Sequence, residues 1–248
     1  MLWRDRPIEW RCARLHEMGF LVGLWNWPTH DLAKLEASGA SFGIMNGFLH
    51  GGLTTDEEAE ALLASARETA LVGKRLGVAR LNLLGTALGD RGLPVRPVPV
   101  VTGAMWLKAR GTLARIVDLA EEMDVTFTLE NLNVATDHPG VPLARAEDTL
   151  ALVAAINSPR LQLNLDLYHA QIGEGNLIET CAKCLPWIGE IQVADVPGRF
   201  EPGTGEVNWH GVAKALKIMG YSGPVTMEAY ASGAPEAALA AFRAAFTL

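Results

Sequence analysis

Four short segments of this chain alternate between apolar and polar residues, and the polar set of each ends in a side chain that carries an oxygen atom. The clearest is residues 161–168, Leu-Gln-Leu-Asn-Leu-Asp-Leu-Tyr, which we predict as one strand whose polar set ends at Asp166. A β-strand sends alternate side chains to opposite faces, so each segment predicts a strand with one apolar and one polar face. The four residues at the polar ends are Glu130, Asp166, Gln192 and Glu228.

These four residues are separated by 36, 26 and 36 positions, about one strand and one helix each. Amphipathic helices and short apolar strands alternate through the rest of the chain, which implies a parallel sheet. Seven strands are clear, and the first strand of an eight-stranded barrel is reduced to residues 1–3 at most. We therefore predict an α/β fold, a single (β/α)8 TIM barrel over residues 1–248 with a truncated first strand.

The carboxyl ends of barrel strands meet at one face, where active sites lie, so the four residues are expected to point at one spot. Three carboxylates and one amide oxygen are hard ligands that suit Mg2+ or Mn2+ and leave positions open for water or substrate. The alternative is that they fill the barrel mouth and pair with Arg or Lys. Their recurrence on four strands favours a metal site.

Composition and charge exclude several classes of function. The net charge is −7 and no basic run is present, which argues against a nucleic-acid partner. The chain has no apolar stretch of 18 residues, so we expect no membrane span, and no apolar segment follows Met1 as in a signal peptide. A cytoplasmic protein with a small-molecule substrate is the default expectation, and a homo-oligomer is left open.

Other side chains near the strand ends are candidates for substrate binding. His169 lies three positions after Asp166, and Arg199 follows the strand of Gln192, where a guanidinium could clamp a substrate carboxylate with two hydrogen bonds. Trp25 and Trp27 end the second strand and could wall the pocket, with core packing as the alternative.

Two features outside the strand ends receive weaker functional interpretations. His138, in the loop over residues 131–144, could belong to a lid, although loop histidines are usually solvated. Cys181 and Cys184 form a CxxC pair on a predicted helix. Because no second CxxC and no histidine at zinc-finger spacing accompany them, a buried helical face is the better interpretation.

The C-terminal half resembles the hydroxypyruvate isomerase family, within the wider group of xylose isomerase-like barrels. The matching motifs are Leu-Glu-Asn-Leu-Asn at 129–133, Asp-Leu-Tyr-His-Ala-Gln at 166–171, Ile-Gln-Val-Ala-Asp-Val-Pro-Gly-Arg at 191–199 and Glu-Pro-Gly-Thr-Gly-Glu-Val-Asn at 201–208. The sequence Gly-Tyr-Ser-Gly at 220–223 and Glu228 complete the match.

The resemblance implies that Glu130, Asp166, Gln192 and Glu228 bind a divalent metal and that the two glutamates also move protons. It implies substrate contacts for His169 and Arg199. The expected reaction converts hydroxypyruvate to tartronate semialdehyde by metal-assisted proton transfer through a cis-enediolate.

Alternatives on the same fold remain open. A 2-oxo-tetronate isomerase or a ketose 3-epimerase would use the same site, although epimerases of the group usually have histidine where Gln192 stands. A DNA-repair enzyme like endonuclease IV would need a trinuclear zinc site, and this acidic chain has only six histidines. A non-catalytic sugar-acid binding barrel is the remaining alternative.

Overall fold

The computed structural model describes residues 1–247, and its centre is a single sheet of parallel strands. Within these residues the order of the strands in the sheet is their order in the chain. The strands are β1 (Val22–Leu24), β2 (Phe42–Asn46), β3 (Arg80–Leu83), β4 (Phe127–Glu130), β5 (Leu161–Asp166), β6 (Ile188–Val193) and β7 (Val225–Met227).

Helices cover the outside of the sheet, which curls into a nearly closed barrel. They are α1 (Ile8–Glu17), α2 (Leu32–Ala37), α3 (Asp56–Leu76), α4 (Gly103–Met123), α5 (Ala146–Ile156), α6 (Leu167–Gly173), α7 (Leu177–Cys184), α8 (Trp209–Ile218) and α9 (Pro235–Phe246). The predicted TIM barrel is therefore confirmed. Residues 1–3, predicted as the remnant of a first strand, are not in a strand.

Local sequence explains how the longer helices begin and end. The Thr55 side chain accepts a hydrogen bond from the backbone N–H of Glu58 and so caps α3, and three acidic residues follow in the first turn. Such residues favour the positive end of the helix dipole. Gly77 ends α3 at φ 66°, a left-handed conformation that glycine adopts without strain. None of the helices in residues 1–247 meets the length and hydropathy needed to span a membrane.

The predicted end of β5 was wrong, because a helix begins where the strand was expected to continue. The sequence suggested a strand that continued to Tyr168, whereas the strand ends at Asp166 and α6 follows at once. The Asp166 carboxylate accepts hydrogen bonds from the backbone N–H groups of Tyr168 (2.8 Å) and His169 (3.2 Å), so it caps this helix. The turn of α6 brings His169 back over the end of β5.

The predicted CxxC segment forms part of the core. Cys181 and Cys184 are buried on α7, and both thiols are free. Burial raises the pKa of each thiol to about 12. These cysteines therefore pack as small apolar side chains, as the interpretation of a buried helical face predicted.

The packing of α4 yields a test of where the stability of the barrel lies. Leu113 is fully buried on this helix, and Leu113→Ala should lower the free energy of unfolding by about 2–5 kcal/mol because it leaves a cavity. Arg115 lies on the same helix and pairs with Glu60 at the surface, with Nη1 2.6 Å from Oε1. Arg115→Ala should leave urea denaturation close to that of the parent, since exposed ion pairs contribute little. Equal losses would contradict this account.

Candidate active site

The four predicted oxygen residues lie at the carboxyl ends of four neighbouring strands. Glu130 ends β4 and Asp166 ends β5, while Gln192 pairs in register with Asp166 on β6. Glu228 directly follows β7, and its backbone N–H donates to Val193 O at 3.1 Å. Glu130, Asp166 and Gln192 are buried, and the Glu228 side chain is 18% exposed.

Ligand atoms of Glu130, Asp166 and His169 all lie within 4.8 Å of one another, which is close enough for a shared ion. Gln192 is fully buried, yet within the described part of the chain neither its amide oxygen nor its amide nitrogen has a hydrogen-bond partner. A buried amide without partners costs free energy, so its oxygen is available to a ligand.

The Arg199 guanidinium contacts the carboxylates of both Glu228 and Asp166. Its Nη2 lies 3.1 Å from Glu228 Oε2 and 3.7 Å from Asp166 Oδ2, and its guanidinium lies over the ring of Tyr168 at 4.7 Å. Burial opposes the charge on Arg199, but Glu228, Asp166 and Glu130 together raise the pKa of the guanidinium above its ordinary value. Arg199 therefore remains charged inside the pocket.

A buried aspartate organises the loop that carries Arg199. Asp195 Oδ1 accepts hydrogen bonds from the backbone N–H groups of Val196 (2.9 Å) and Val207 (3.1 Å), and Oδ2 accepts one from Gly203 (2.8 Å). The Arg199 N–H donates to the main-chain oxygen of Asp195 at 3.1 Å. These bonds fold residues 195–207 back toward the barrel mouth.

Burial raises the affinity of all three carboxylates for protons, and neighbouring carboxylates add to the rise at Glu130 and Glu228. Burial, together with the charges of Glu228 and Asp166, raises the pKa of Glu130 well above its usual range. Burial also raises the pKa of Asp166 and of Glu228, and Arg199 acts against the rise at both. One guanidinium against three carboxylates leaves an excess of negative charge, which a divalent cation would offset.

A polar ladder inside the barrel orients Glu130. Asn82 Oδ1 accepts hydrogen bonds from Thr128 Oγ1 and Asn164 Nδ2, both at 3.1 Å, so the amide nitrogen of Asn82 must face the other way. That nitrogen donates to Glu130 Oε2. Asn82 was not predicted as a site residue, although it is a polar residue between Leu81 and Leu83 on a short apolar strand.

Asn133 fixes the tautomer of His169. Asn133 Oδ1 accepts hydrogen bonds from the backbone N–H groups of Thr136 and Asp137, both at 3.0 Å, so its amide nitrogen faces His169. This nitrogen donates to His169 Nδ1 at 2.8 Å. Burial lowers the pKa of His169 well below its ordinary value, so the ring is neutral and its proton sits on Nε2.

The Nε2 atom of His169 lies 3.6 Å from Asp166 Oδ2 and has no hydrogen-bond partner among the described residues. A protonated ring nitrogen is a donor and not a metal ligand. The geometry therefore separates His169 from the oxygen ligands and favours a hydrogen bond to a substrate oxygen.

His138 is part of the site, contrary to the expectation that a loop histidine is solvated. It is buried, its Nδ1–H donates to Gly92 O at 2.7 Å, and its ring packs edge-on against that of His169 at 5.1 Å. It thereby joins the two long loops after β3 and β4.

A cavity of about 250 Å3 opens at this end of the barrel, lined in part by Trp25, Asn82, Glu130, His169, Arg199 and Glu228. Trp25 therefore lies where a pocket wall was predicted. Trp27 does not, because it is buried in the core and its Nε1 donates to Thr69 Oγ1 at 3.4 Å. The size fits a ligand of a few carbon atoms.

The family model described as xylose isomerase-like TIM barrel matches residues 17–246. The chain belongs to this family. A hydroxypyruvate isomerase of Escherichia coli K12 is 31% identical over 158 residues, which cover 62% of this chain and 61% of that protein. A 2-oxo-tetronate isomerase of Haemophilus influenzae is 28% identical over 232 residues, 92% of this chain and 80% of the relative. These relatives bear out the prediction of an isomerase.

A solved structure described as an AP endonuclease, family 2, from Brucella melitensis superimposes with a TM-score of 0.82. It is 23% identical, and the match covers 98% of this chain and 95% of that one. At this identity the similarity shows a shared barrel and does not transfer an activity.

The tautomer of His169 can be tested by substitution of Asn133. In the parent, 15N NMR of the imidazole should show Nδ1 unprotonated and Nε2 protonated. Asn133→Asp should place a carboxylate oxygen beside Nδ1 and draw a proton onto that atom. Asn157→Asp, the same chemical change at the end of α5, should leave the His169 signals unchanged. A protonated Nδ1 in the parent would contradict the assignment.

Proposed function

We propose that this protein isomerises a small 2-oxo acid, with hydroxypyruvate converted to tartronate semialdehyde as the first candidate reaction. The observation that carries the proposal is the pairing of two carboxylates, Glu130 and Glu228, with one buried guanidinium, Arg199, around a cavity of about 250 Å3. The E. coli and H. influenzae relatives, both named isomerases of 2-oxo acids, support it.

Glu130, Asp166, Gln192 and Glu228 would hold a divalent cation, Mg2+ or Mn2+. The donor set fits, because it is made of oxygen atoms, the Gln192 amide is buried without a partner, and the carboxylates carry more charge than Arg199 offsets. Such an ion, when bound, polarises the substrate carbonyl and stabilises negative charge on the neighbouring oxygens.

The two glutamates would carry the proton. One removes a proton from the hydroxyl-bearing carbon, which leaves an enediolate, and the other delivers a proton to the former carbonyl carbon. The hydroxyl proton passes to the former carbonyl oxygen, so that the hydroxyl oxygen becomes the new carbonyl. Burial raises the pKa of both glutamates, and the charge of Asp166 adds to the rise at each, which makes each a stronger base than an exposed carboxylate. Asn82 holds the Glu130 carboxylate in one orientation through its amide donor.

His169 and Arg199 would position the substrate. The Nε2–H of His169 would donate to a substrate oxygen, since it is buried at the site and has no partner among the described residues. The Arg199 guanidinium would bind the substrate carboxylate, which a planar fork of donors suits. Trp25 would wall the far side of the cavity.

A 2-oxo-tetronate, which is one carbon longer than hydroxypyruvate, is the second candidate substrate. The match to the H. influenzae 2-oxo-tetronate isomerase extends over 92% of this chain, further than the match to the E. coli hydroxypyruvate isomerase. Turnover of both acids in the presence of Mg2+ or Mn2+, measured by NMR, separates the two candidates. Absence of turnover of either acid with either metal would contradict the proposal.

Replacement of either glutamate by glutamine tests whether its carboxylate is needed for proton transfer in addition to metal binding. Glu130→Gln and Glu228→Gln each keep one oxygen but lose the basic carboxylate. At saturating metal, turnover should fall by about 10²- to 10⁴-fold, because that is the usual contribution of general base catalysis. The variant that can still abstract the substrate proton should exchange it for solvent deuterium without isomerising the substrate. Turnover near the parent rate in either variant would contradict the proposed roles.

Asp166→Asn is the matched control for these two variants. Asp166 is proposed to bind the ion and to move no proton, and asparagine keeps an oxygen that can cap α6. Loss of the charge should therefore weaken metal binding, and excess metal should restore part of the turnover. Failure of metal to restore any activity, with the variant folded, would show that Asp166 does more than bind the ion.

Arg199→Lys tests recognition of the substrate carboxylate. Lysine keeps the positive charge but loses the bidentate fork, so kcat/KM on 2-oxo acids should fall by about tenfold or more. Activity on a neutral ketose of similar size, where measurable, should change much less. Equal losses on both substrates would indicate that Arg199 acts on the fold of the site and not on the carboxylate.

A further inference from the structure

The two nitrogen atoms of the His138 ring have different surroundings. Nδ1–H donates to Gly92 O at 2.7 Å, and among residues 1–247 the side chain makes no other hydrogen bond. Because a carbonyl oxygen only accepts, Nδ1 carries the single proton of the neutral ring, and Nε2 is an acceptor. A Cβ atom on Gly92 would lie 3.0 Å from Cε1 and 3.2 Å from Nδ1, so the edge formed by Nε2 and Cδ2 faces away from that loop.

His138 and His169 form a complementary pair in the cavity of about 250 Å3 that both line. A ring nitrogen of one lies within 4.8 Å of a ring nitrogen of the other. Their tautomers are opposite, because Asn133 leaves the Nε2–H of His169 as a donor, whereas Gly92 leaves the Nε2 of His138 as an acceptor. The pair therefore offers a ligand one donor and one acceptor.

Both long loops fix the position of the His138 acceptor. The backbone N–H of His138 donates to Asn133 O at 3.0 Å, and the N–H of Val98 donates to Gly140 O at 2.8 Å, which joins the two loops a second time. The His138 ring is also buried against that of His169. An acceptor that is already held in place loses little conformational freedom when a ligand binds.

The chemistry of this acceptor limits what it can recognise. A carboxylate or carbonyl oxygen has no proton to donate to His138 Nε2, so the group bound there is a hydroxyl. The same two loops contribute Leu88 and Leu132 to the cavity, and these apolar side chains offer a hydroxyl no hydrogen bond. A substrate hydroxyl on this side of the cavity would thus depend on His138.

The two candidate substrates differ by such a group. In the proposed function, the carboxylate of hydroxypyruvate binds Arg199, and its carbonyl and hydroxyl groups take part in the reaction. A 2-oxo-tetronate carries one more hydroxyl, on the carbon beyond the two that react. Only the longer acid can therefore use the His138 acceptor without giving up another contact.

Resting on the proposed function, we propose that His138 is a specificity-determining residue that selects the longer acid. Its Nε2 accepts a hydrogen bond from the hydroxyl on the carbon beyond the reacting pair. A site with a polar group for a substrate hydroxyl discriminates against an analogue without that hydroxyl, because the buried group is left unpaired. The kcat/KM for 2-oxo-tetronate should thus exceed that for hydroxypyruvate by about tenfold or more.

Two substitutions separate the acceptor from the contact with Gly92. In His138→Asn, the amide nitrogen can take the place of Nδ1 and donate to Gly92 O, but nothing replaces Nε2. In His138→Gln, the amide oxygen can take the place of Nε2, and the contact with Gly92 is lost. His138→Asn should lower the ratio of kcat/KM for the two acids by about tenfold, and His138→Gln should retain most of the ratio. The control is His210→Asn, the same change at an exposed residue of α8, which should leave the ratio unchanged.

Binding of erythronate and glycerate gives a second readout that needs no turnover. These acids lack the 2-oxo group and differ by the same hydroxyl-bearing carbon. Titration calorimetry should show erythronate bound about tenfold more tightly than glycerate by the parent and by His210→Asn. In His138→Asn the difference should disappear.

Two results would overturn the proposal. One is an unchanged ratio of kcat/KM and an unchanged difference in binding in folded His138→Asn. The other is an equal loss on both acids, which would mean that His138 only holds the two loops together. If neither acid is turned over, the proposed function fails, and the calorimetric comparison still decides whether His138 recognises the hydroxyl.

Discussion

The site depends on an imbalance of charge at the carboxyl end of the barrel. Glu130 and Glu228 line one cavity, and the Arg199 guanidinium contacts Glu228 and the neighbouring Asp166. Burial makes this arrangement costly, and the raised pKa of each carboxylate reflects that cost. A divalent cation at the same place would relieve the repulsion and would explain why the Gln192 amide is left without a partner.

Buried amides hold the reactive groups in place around this charge. Asn82 can present only its nitrogen to Glu130, and Asn133 can present only its nitrogen to His169, because both amide oxygens accept two hydrogen bonds from elsewhere. A buried donor or acceptor without a partner costs free energy, so neither amide can turn without penalty. The orientation of the Glu130 carboxylate and the tautomer of the His169 imidazole are thereby set by the fold.

Much of the fold could be predicted from the sequence, because hydrophobic alternation and strand–helix spacing are local signals. The α4, α5 and α9 boundaries follow directly from caps, proline and apolar periodicity. The end of β5 was mispredicted because Asp166 resembles a strand residue but accepts hydrogen bonds as a helix cap. Only the three-dimensional course of the chain decides between the two.

Part of the candidate site could be predicted from the sequence. Glu130 and Glu228 could be chosen because each ends a segment that alternates between apolar and polar residues. Asn82 and His138 could not, because their roles come from partners 48 and 46 positions away, Glu130 and Gly92. Trp27 was predicted as a possible pocket wall from its position near a strand end, but its side chain packs in the core. Contacts of this kind depend on tertiary structure and leave no periodic signal.

We propose that one divalent cation is bound by Glu130, Asp166, Gln192 and Glu228. The most direct measurement is a titration of the metal-free protein with Mn2+, followed by electron paramagnetic resonance of the free ion. The account predicts one bound Mn2+ per chain, displaced by Mg2+, and binding at least about tenfold weaker in Gln192→Leu, which loses one neutral oxygen ligand. No bound Mn2+ at millimolar concentration, or unchanged binding in that variant, would contradict it.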